Sequence, residues 1–438
     1  MRVPALAALL ASAGWAASCS GEGPVPTRIV LITLDTLRAD GLEDMPEILA
    51  RGESGVVFER AYAATSTTQP THASLFTGLH PWQHGVTRNG QVLGEAHMTV
   101  AERLRGEGFE TVGIAASFPM ERRFGFAQGF ARYHDEFVEP YVRVWEGEEL
   151  EGGRFHSLHE AVTERALAEL ERSRSPRQFL WVHYFDPHDP YGDAAEGPKG
   201  RVMEIGTLLK AAAQGDPRAP QIVSRAKERY DADVAALDRS LARLIEGIEA
   251  DAERYRTHVF VTSDHGESFG ELGCLGHGKR LVPAQVHVPL VYLGAAAPAG
   301  KRADACGSVD VAATVLALAG VDFGMTEGRD LFADVPGGAF ALGMRRSFVE
   351  ARHEQLLDGR RLPIEGERFF LARDTELLAG DGTSLFHDDD PARRAEGPGT
   401  EEVRVLFTAL RQKLAGVESE ELLDAEVQDA LGALGYGR

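Results

Sequence analysis

The sequence predicts an α/β fold in which a mostly parallel sheet carries helices on both faces. Apolar, β-branched segments alternate with amphipathic helical segments, and consecutive parallel strands need such crossover helices. The chain has 438 residues, enough for one large domain and a smaller one. The predicted strands are 29–34, 109–116, 179–186, 258–263 and 288–293, and the clearest predicted helices are 156–172, 221–250 and 308–319.

A change of pattern near residue 344 predicts a second, smaller unit. Short strands are predicted at 348–351 and 368–373, followed by two terminal helices. We therefore expect a large α/β domain over residues 27–343 and a small α+β subdomain with an antiparallel sheet over residues 344–438. On the long helix 221–250, three aspartates are predicted to lie on the solvated face: Asp231, Asp233 and Asp238.

The N-terminus has the pattern of an export signal. Arg2 precedes a short apolar run, and small residues stand directly before Cys19. The run is too short to span a bilayer and suits a cleaved signal peptide over residues 1–18. Small residues before a cysteine resemble the bacterial lipobox, which implies a lipidated Cys19 and a tether over residues 19–26. We expect an exported protein, lipid-anchored to a bacterial membrane and facing the periplasm or the exterior; a plain secretory signal with an incidental cysteine is the alternative.

Composition restricts the partners and the cross-links. The 46 basic and 67 acidic residues give a formal charge of −21, which argues against nucleic acid and against an anionic membrane surface. An anionic substrate must then be attracted by local charge, such as a metal ion or a helix N-terminus. An oxidising compartment would permit a disulfide between Cys274 and Cys306, but two cysteines make no framework, and we expect ordinary core or loop residues.

The segment that starts at Thr68 predicts a nucleophile at a helix N-terminus. Pro70 suits the first turn of a helix and Gly78 suits its end, so Thr68 is predicted at or just before the N-cap. Unpaired backbone N–H groups at this end favour a tetrahedral anion. The alternative is that Thr68 is only a capping residue, and residues 65–67 compete with it for that role.

Polar residues follow two of the predicted strands. Asp35 ends the first strand, and Asp264 and His265 follow the strand at 258–263. Because the carboxyl ends of parallel strands meet at one edge of a sheet, we expect these side chains to converge near Thr68. Two carboxylates, an imidazole and a hydroxyl are a suitable ligand set for a divalent cation, and metal binding would lower the pKa of the Thr68 hydroxyl.

Four segments, in the same order along the chain, resemble the sulfatases and the wider alkaline phosphatase superfamily. Besides the strand ending at Asp35, the segment Thr68-Gln-Pro-Thr-His72 is similar to the nucleophile motif C/S-x-P-x-R, and the segment containing His188 is similar to D-P-H-x-P-Y. His277 follows His265 with the spacing found in phosphoethanolamine transferases and sulfatase-like phosphoesterases. The resemblance covers roughly residues 28–390. It implies an alkaline-phosphatase-like, doubly wound sheet, and it implies that His188 and His277 are phosphate donors or ligands of a second metal.

The departures from sulfatases concern the nucleophile and the metal ligands. Thr68 stands where sulfatases carry the Cys or Ser that is oxidised to formylglycine, and a threonine cannot form that aldehyde. His72 replaces the motif's arginine, Thr36 replaces the second of two paired aspartates, and His265 replaces an oxygen ligand by a nitrogen ligand. We therefore expect one or two divalent ions, with zinc or manganese preferred over calcium.

Four further residues have weaker signals. Asn89 precedes Gly90 and is either a turn residue or a contact to the phosphate oxygens. Lys279 could neutralise substrate charge or be a solvated surface lysine. His84 and His183 are predicted to be structural, since His183 points to the opposite face of its strand from Tyr184.

Together these features predict a metal-dependent hydrolase of phosphate esters that works through Thr68 and a covalent phospho-enzyme. The alternatives are a sulfuric ester hydrolase and a transferase of the phospho group, and a non-catalytic binding lipoprotein is the furthest alternative. The substrate is expected to be a small-molecule, lipid or glycan ester, and the membrane is contacted only through the anchor. The preference for monoesters or diesters and the oligomeric state stay open.

Overall fold

The structure is a computed structural model that describes residues 25–137, 139–145, 148–192, 211, 215–322 and most of 324–414. The predicted signal peptide, Cys19, the tether as far as residue 24 and the strand predicted at 348–351 lie outside these residues. Within the described part of the chain, no helix has both the length and the apolarity needed to cross a bilayer.

A large sheet lies at the centre of the molecule. The strands up to residue 307 are β1 (Thr27–Leu34), β2 (Val56–Tyr62), β3 (Glu110–Ile114), β4 (Arg132–His134), β5 (Glu139–Trp145), β6 (Glu148–His156), β7 (Arg177–Tyr184), β8 (Arg256–Ser263), β9 (Ser268–Phe269), β10 (Leu275–Gly276), β11 (His287–Gly294), β12 (Gly300–Arg302) and β13 (Cys306–Gly307). In the described residues, nine of them form the sheet in the order β12-β2-β11-β8-β1-β7-β3-β4, with β13 beside β2. β11 runs antiparallel to both of its neighbours, and the other pairs of the sheet are parallel.

Helices cover both faces of this sheet. They are α1 (Pro46–Gly52), α2 (Thr68–Thr77), α3 (Pro81–His84), α4 (Val100–Gly106), α5 (His159–Arg172), α6 (Ala219–Glu249), α7 (Pro283–Val286), α8 (Ser308–Leu318) and α9 (Thr400–Leu414), with 3₁₀ turns at Asp40–Asp44, Phe118–Met120, Arg122–Phe124 and Glu271–Gly273. On β7, Trp181 packs against Phe76 of α2 with ring centroids 4.9 Å apart, whereas the Tyr184 hydroxyl lies 2.8 Å from that of Thr163 on α5. Residues three apart on a strand point to opposite faces, so α2 and α5 lie on different sides. The predicted fold class, a doubly wound and mostly parallel sheet, is confirmed.

The main strand missed by prediction is β2. Its apolar pattern is interrupted by Glu59, which is exposed, and by Arg60. Apolar residues at Val56, Phe58 and Ala61 are nevertheless buried. β2 matters for the site because the segment that leaves its carboxyl end leads directly to α2.

A separate four-stranded antiparallel sheet lies after the large sheet in the sequence, and the described residues from 340 to 414 are called the C-terminal subdomain below. Its strands are β14 (Phe340–Ser347), β17 (Gly366–Arg373), β18 (Glu376–Gly380) and β19 (Leu385–His387), in that order, and a separate ribbon contains β15 (His353–Gln355) and β16 (Arg361–Pro363). α9 packs on this sheet through Phe407, whose ring centroid lies 5.6 Å from that of Phe369. The predicted boundary at residue 344 falls inside β14.

The predicted solvated face of α6 is wrong for two of its three aspartates. Asp233 and Asp238 are buried, at 1% and 2% exposure. Asp233 accepts the N–H of Gly192, and the two oxygens of Asp238 accept the N–H groups of Glu47 and Ile48 at 2.9 and 3.1 Å. Asp238 therefore caps the N-terminus of α1, where the residue at the N-cap makes no side-chain hydrogen bond.

Replacing this cap should destabilise the protein. Asp238→Ala leaves the buried N–H of Ile48 and the partly buried N–H of Glu47 without their acceptor, and we expect the free energy of unfolding to fall by about 1–3 kcal/mol. The matched control is Asp231→Ala, which removes an ion pair with Lys227 on the same helix and should change stability by less than about 1 kcal/mol. Urea unfolding of the three proteins measures the difference, and equal midpoints for both variants would contradict the assignment.

Candidate active site and metal centre

The candidate nucleophile opens α2. Thr67 is the N-cap, Thr68 is the first helical residue, and Gly78 ends the helix in the left-handed conformation at φ 68°. The predicted position of Thr68 was at or just before the N-cap, and the observed position is one residue after it. Pro70 is the third helical residue, where a missing N–H breaks no helical hydrogen bond. Thr68 is completely buried.

Asn89 lies against the start of this helix. Its Oδ1 accepts the N–H of Gln69 at 2.9 Å, which fixes the orientation of the amide. Gln69 in turn accepts the N–H of Gly90 at 2.5 Å and donates to the Pro119 carbonyl at 2.7 Å. The Asn89 amide nitrogen is buried and has no hydrogen-bond partner among the described residues. The turn predicted beside Gly90 is present, and the same side chain lies against the first turn of α2.

Asp35, Asp264 and His265 meet at the carboxyl edge of the sheet. Their potential ligand atoms all lie within 4.8 Å of one another. His265 Nε2 is 3.7 Å from Asp35 Oδ1, 3.6 Å from Asp264 Oδ2 and 3.4 Å from the Thr68 hydroxyl. The predicted convergence of these four side chains is observed.

The unpaired atoms of this cluster suit a cation. Within the described residues, both oxygens of Asp35 and Oδ2 of Asp264 are buried without a hydrogen-bond partner. Asp264 Oδ1, in contrast, accepts the N–H groups of His265 and Thr36. His265 Nδ1 lies 3.0 Å from the Gly266 carbonyl, to which it must donate, so Nε2 carries the lone pair. A carboxylate pair and an imidazole acceptor then face one another, which fits a divalent metal.

The electrostatics of the cluster agree with this fit. Burial raises the pKa of Asp35 well above its usual value, and repulsion from Asp264, Glu267 and Asp189 raises it further. Burial likewise raises the pKa of Asp264 to about 6. A bound cation would reverse this effect, because it favours the ionised form of both carboxylates.

His72 and His183 lie beside this cluster, but their ring nitrogens form hydrogen bonds with other groups. The Trp181 indole N–H donates to the Thr33 hydroxyl, which donates to His72 Nε2, and His72 Nδ1 donates to the Thr68 carbonyl at 2.9 Å. Both nitrogens of His72 are thereby committed, and burial lowers its pKa. His183 accepts the N–H of Ala116 at Nδ1, so its protonated Nε2 faces Asp35 Oδ2 at 3.4 Å. Although His72, His183 and Asp264 have the spacing of a metal site, these protonation states leave no imidazole lone pair for an ion.

His188 and His277 form a second group of imidazoles next to His265. Their ring centroids are 5.1 Å apart, and that of His277 is 4.4 Å from the His265 ring. His188 Nδ1 donates to the Asp189 carbonyl at 2.7 Å, and His277 Nδ1 donates to Glu267 Oε1 at 3.1 Å. Burial lowers the pKa of each imidazole to about 3. Both rings are therefore neutral, with the lone pair on Nε2.

Glu267 is the carboxylate that orients His277. It is completely buried, and its second oxygen accepts the Tyr191 hydroxyl at 2.9 Å. A carboxylate behind a histidine fixes the tautomer and the direction of the ring. Prediction from sequence missed Glu267, although it lies in the segment that contains Asp264 and His265.

Replacing Glu267 should weaken the site without unfolding it. In Glu267→Gln the amide can accept from only one of its two partners, and we expect kcat/KM to fall by roughly 10–100-fold. Glu271→Gln is the matched control, because Glu271 lies in the same loop as Glu267 but forms its ion pair with Arg38 and not with His188, His265 or His277. Steady-state turnover of an aryl ester measures both variants, and a Glu267→Gln protein as active as the control would refute the orienting role.

The remaining candidates occupy different positions. Lys279 is half-buried and lies close to the site. Burial lowers the pKa of His277 and raises that of Glu267, and the positive charge of Lys279 acts to lower both. Asp186 accepts the N–H of His159 at the start of α5. His84 is structural as predicted, because Val86 N–H donates to its Nδ1 and its Nε2 bonds the Ser74 hydroxyl. Cys274 and Cys306, which the structure describes, are buried and are not joined by a disulfide.

Known proteins similar to this chain share its fold and, in part, its sequence. The sulfatase family model matches residues 27–321. The ulvan-active sulfatase of Formosa agariphila is 27% identical over 273 residues, which cover 57% of this chain and 52% of that protein. The low-salt glycan biosynthesis sulfotransferase of Haloferax volcanii is 30% identical over 206 residues, which cover 46% of this chain and 45% of that protein. The chain spans about half the length of these curated relatives.

Solved structures with the same fold include two phosphonate monoester hydrolases. The enzyme of Silicibacter pomeroyi superposes with a TM-score of 0.64 at 18% identity and covers 89% of this chain and 95% of its own. That of Agrobacterium radiobacter has a TM-score of 0.63 at 17% identity, with 90% and 97% covered. The family match extends from β1 past the end of α8, and so includes every segment that carries the candidate site. The chain belongs to the sulfatase family.

Proposed function

We propose that this sulfatase-family enzyme hydrolyses phosphate esters with Thr68 as its nucleophile. The observation that carries the proposal is the position of the Thr68 hydroxyl. It lies 3.4 Å from His265 Nε2 and beside two carboxylates whose oxygens include three without a hydrogen-bond partner in the described part of the chain. A threonine cannot supply the formylglycine of a sulfatase, but its hydroxyl can attack phosphorus.

Asp35, Asp264, His265 and Thr68 would hold the metal. When bound, a divalent cation would lower the pKa of the Thr68 hydroxyl and offset the charge of the ester oxygens. A nitrogen ligand and few oxygen ligands favour zinc or manganese over calcium. His188 and His277 are neutral and present acceptor atoms, so ligation of a second cation suits them better than donation to phosphate.

The residues of the chain have separate roles in the proposed reaction. Thr68 Oγ1 loses its proton to solvent and attacks phosphorus in line with the leaving alcohol. The bond between phosphorus and the alcohol oxygen breaks, the alcohol takes up a proton from water, and a phosphothreonine ester remains. The Asn89 amide nitrogen would donate to the phosphate oxygens, and the partial positive charge at the N-terminus of α2 would offset part of their negative charge. Lys279 offsets part of the negative charge near His277. Water then hydrolyses the phosphothreonine and restores the Thr68 hydroxyl.

Sulfate-ester hydrolysis is the second candidate, because curated relatives carry the names of sulfatases. Formylglycine releases sulfate through its second hydroxyl, and a threonine has no such route. Purified protein should be assayed on aryl phosphate monoesters, aryl phosphate diesters and aryl sulfates, with zinc, manganese or calcium added back after chelation. We expect phosphate esters to be turned over faster than sulfates. Faster turnover of aryl sulfates would overturn the proposal, and transfer to an added alcohol would assign a transferase.

We also propose that Cys19 anchors the enzyme to a bacterial membrane. The supporting observation is the short apolar run that ends in small residues before Cys19. Cys19→Ala should move the protein from the membrane fraction to the soluble fraction, whereas Cys274→Ala, which removes a buried thiol, should not. Mass spectrometry of the mature N-terminus should detect a diacylglyceryl cysteine. Membrane association that survives Cys19→Ala would exclude the anchor.

A further inference from the structure

The C-terminal subdomain contacts two of the segments that build the candidate site. At the first contact, the Met344 N–H of β14 donates to the Ala64 carbonyl at 2.9 Å, just upstream of α2. The backbones approach closely there, since a Cβ on Gly343 would lie 2.3 Å from the Ala64 carbonyl oxygen. The Ser308 hydroxyl, at the start of α8 in the large domain, accepts the N–H of Ala64. The segment leading to Thr68 is thus held from both sides.

The second contact is made by Asp389, in the turn after β19. Asp389 is completely buried. Its Oδ2 accepts the backbone N–H of Leu281 at 3.1 Å and the Nε–H of Arg280 at 3.4 Å, and its Oδ1 accepts from Arg368. Burial opposes ionisation, but Arg368 and Arg280 outweigh it and hold the pKa of Asp389 below its usual value. A buried carboxylate that accepts hydrogen bonds from three residues has a fixed side-chain position, and it restrains the positions of those residues.

Arg280 and Leu281 end the short segment that begins at His277. At its start, His277 is held by Glu267, and at its end the backbone and a side chain are held by Asp389. Gly278, between these two ends, has a φ of 79°, a conformation in which a bulkier residue would be strained. The two carboxylates therefore define the path of the segment that carries His277 and Lys279.

We propose that Asp389 is a positioning residue, through which the C-terminal subdomain sets the placement of His277 and Lys279 in the active site. The proposal rests on the proposed function only in taking this cluster as the active site. On this proposal the C-terminal subdomain contributes to the active site, because Asp389 holds Arg280 and Leu281 at the C-terminal end of the segment that carries His277 and Lys279.

The test compares two neighbouring aspartates in one turn. Asp389→Asn removes the charge but can keep one acceptor, and Asn tolerates the positive φ of 53° at this position. Asp388→Asn is the matched control, because Asp388 has a φ of 56° and pairs with the exposed Arg393 instead of the His277 segment. We expect Asp389→Asn to lower kcat/KM per folded molecule by about tenfold or more, mainly through kcat, and the control to change it little.

Two further measurements separate positioning from stability. Hydrogen exchange of the amides at 277–281 should accelerate in Asp389→Asn and stay unchanged in Asp388→Asn. Arg280→Lys keeps a cation beside Asp389 but loses the guanidinium geometry, so it should lower kcat/KM less than Arg280→Gln. These arginine variants also serve if Asp389→Asn fails to fold.

A wild-type value of kcat/KM per folded molecule in Asp389→Asn, or in Arg280→Gln, would overturn the proposal. Equal losses in Asp388→Asn and Asp389→Asn would overturn it as well. The assay uses whichever aryl ester the wild-type protein turns over, phosphate or sulfate. A sulfate preference would therefore contradict the proposed function without deciding the role of Asp389.

Discussion

Thr68→Ala is expected to abolish turnover while leaving the protein folded. Removing the nucleophile of a covalent mechanism lowers kcat by about 10³-fold or more. The fold should persist, because Thr67 is the N-cap of α2 and loss of one buried hydroxyl costs about 1–3 kcal/mol, a fraction of the roughly 5–15 kcal/mol by which native proteins are stable. Turnover and thermal unfolding of the purified variant measure the two effects.

Two threonine variants provide the controls. Thr68→Ser keeps a hydroxyl in the same place and should retain activity. Thr67→Ala removes the neighbouring hydroxyl, which makes no capping hydrogen bond, and should leave kcat close to that of the wild type. A Thr68→Ala protein with full turnover would exclude Thr68 as the nucleophile.

Asp35→Asn and Asp264→Asn are each expected to remove both the bound metal and the activity. Each substitution replaces a buried, charged ligand by a neutral amide, and turnover should fall by about 100-fold or more. Metal binding also stabilises the native state, by about 2.7 kcal/mol when the free metal is 100 times its Kd. We therefore expect a chelator to lower the unfolding temperature of the wild type but not that of either variant.

The control is Asp44→Asn. Asp44 is an exposed carboxylate in the segment that follows β1, the strand that ends at Asp35. It should retain metal and activity. Elemental analysis of the purified proteins should find zinc or manganese in the wild type and in Asp44→Asn. Stoichiometric calcium, with activity restored by calcium alone, would contradict the proposed ligand set.

The central part of the fold was predictable from the alternation of apolar strands and amphipathic helices. That alternation predicts β1, β7 and β8, and it places their carboxyl ends at one edge. β2 was missed because charged residues interrupt its apolar pattern. Asp238 was misplaced because its helix-capping partners, Glu47 and Ile48, are far away in sequence, and only the tertiary structure brings them together.

The candidate site also has a part that was predictable from the sequence and a part that was not. The meeting of Asp35, Thr68, Asp264 and His265 follows from strand ends and from one helix N-terminus, which are local features. The protonation states of the histidines depend on contacts between distant segments. His72 shows this most clearly, since its two nitrogens are committed by Thr33 and by the Thr68 carbonyl. No local pattern predicts that arrangement.

The most direct test of the account is to trap the covalent intermediate. Wild-type protein is mixed with an excess of an aryl phosphate ester, quenched in acid within the first turnovers, digested and examined by mass spectrometry. The proposed mechanism predicts a phosphorylated peptide with the modification on Thr68, absent from Thr68→Ala and from protein quenched before substrate is added. Turnover of the phosphate ester with no phosphopeptide at any quench time, or with the phosphate on another residue, would contradict it.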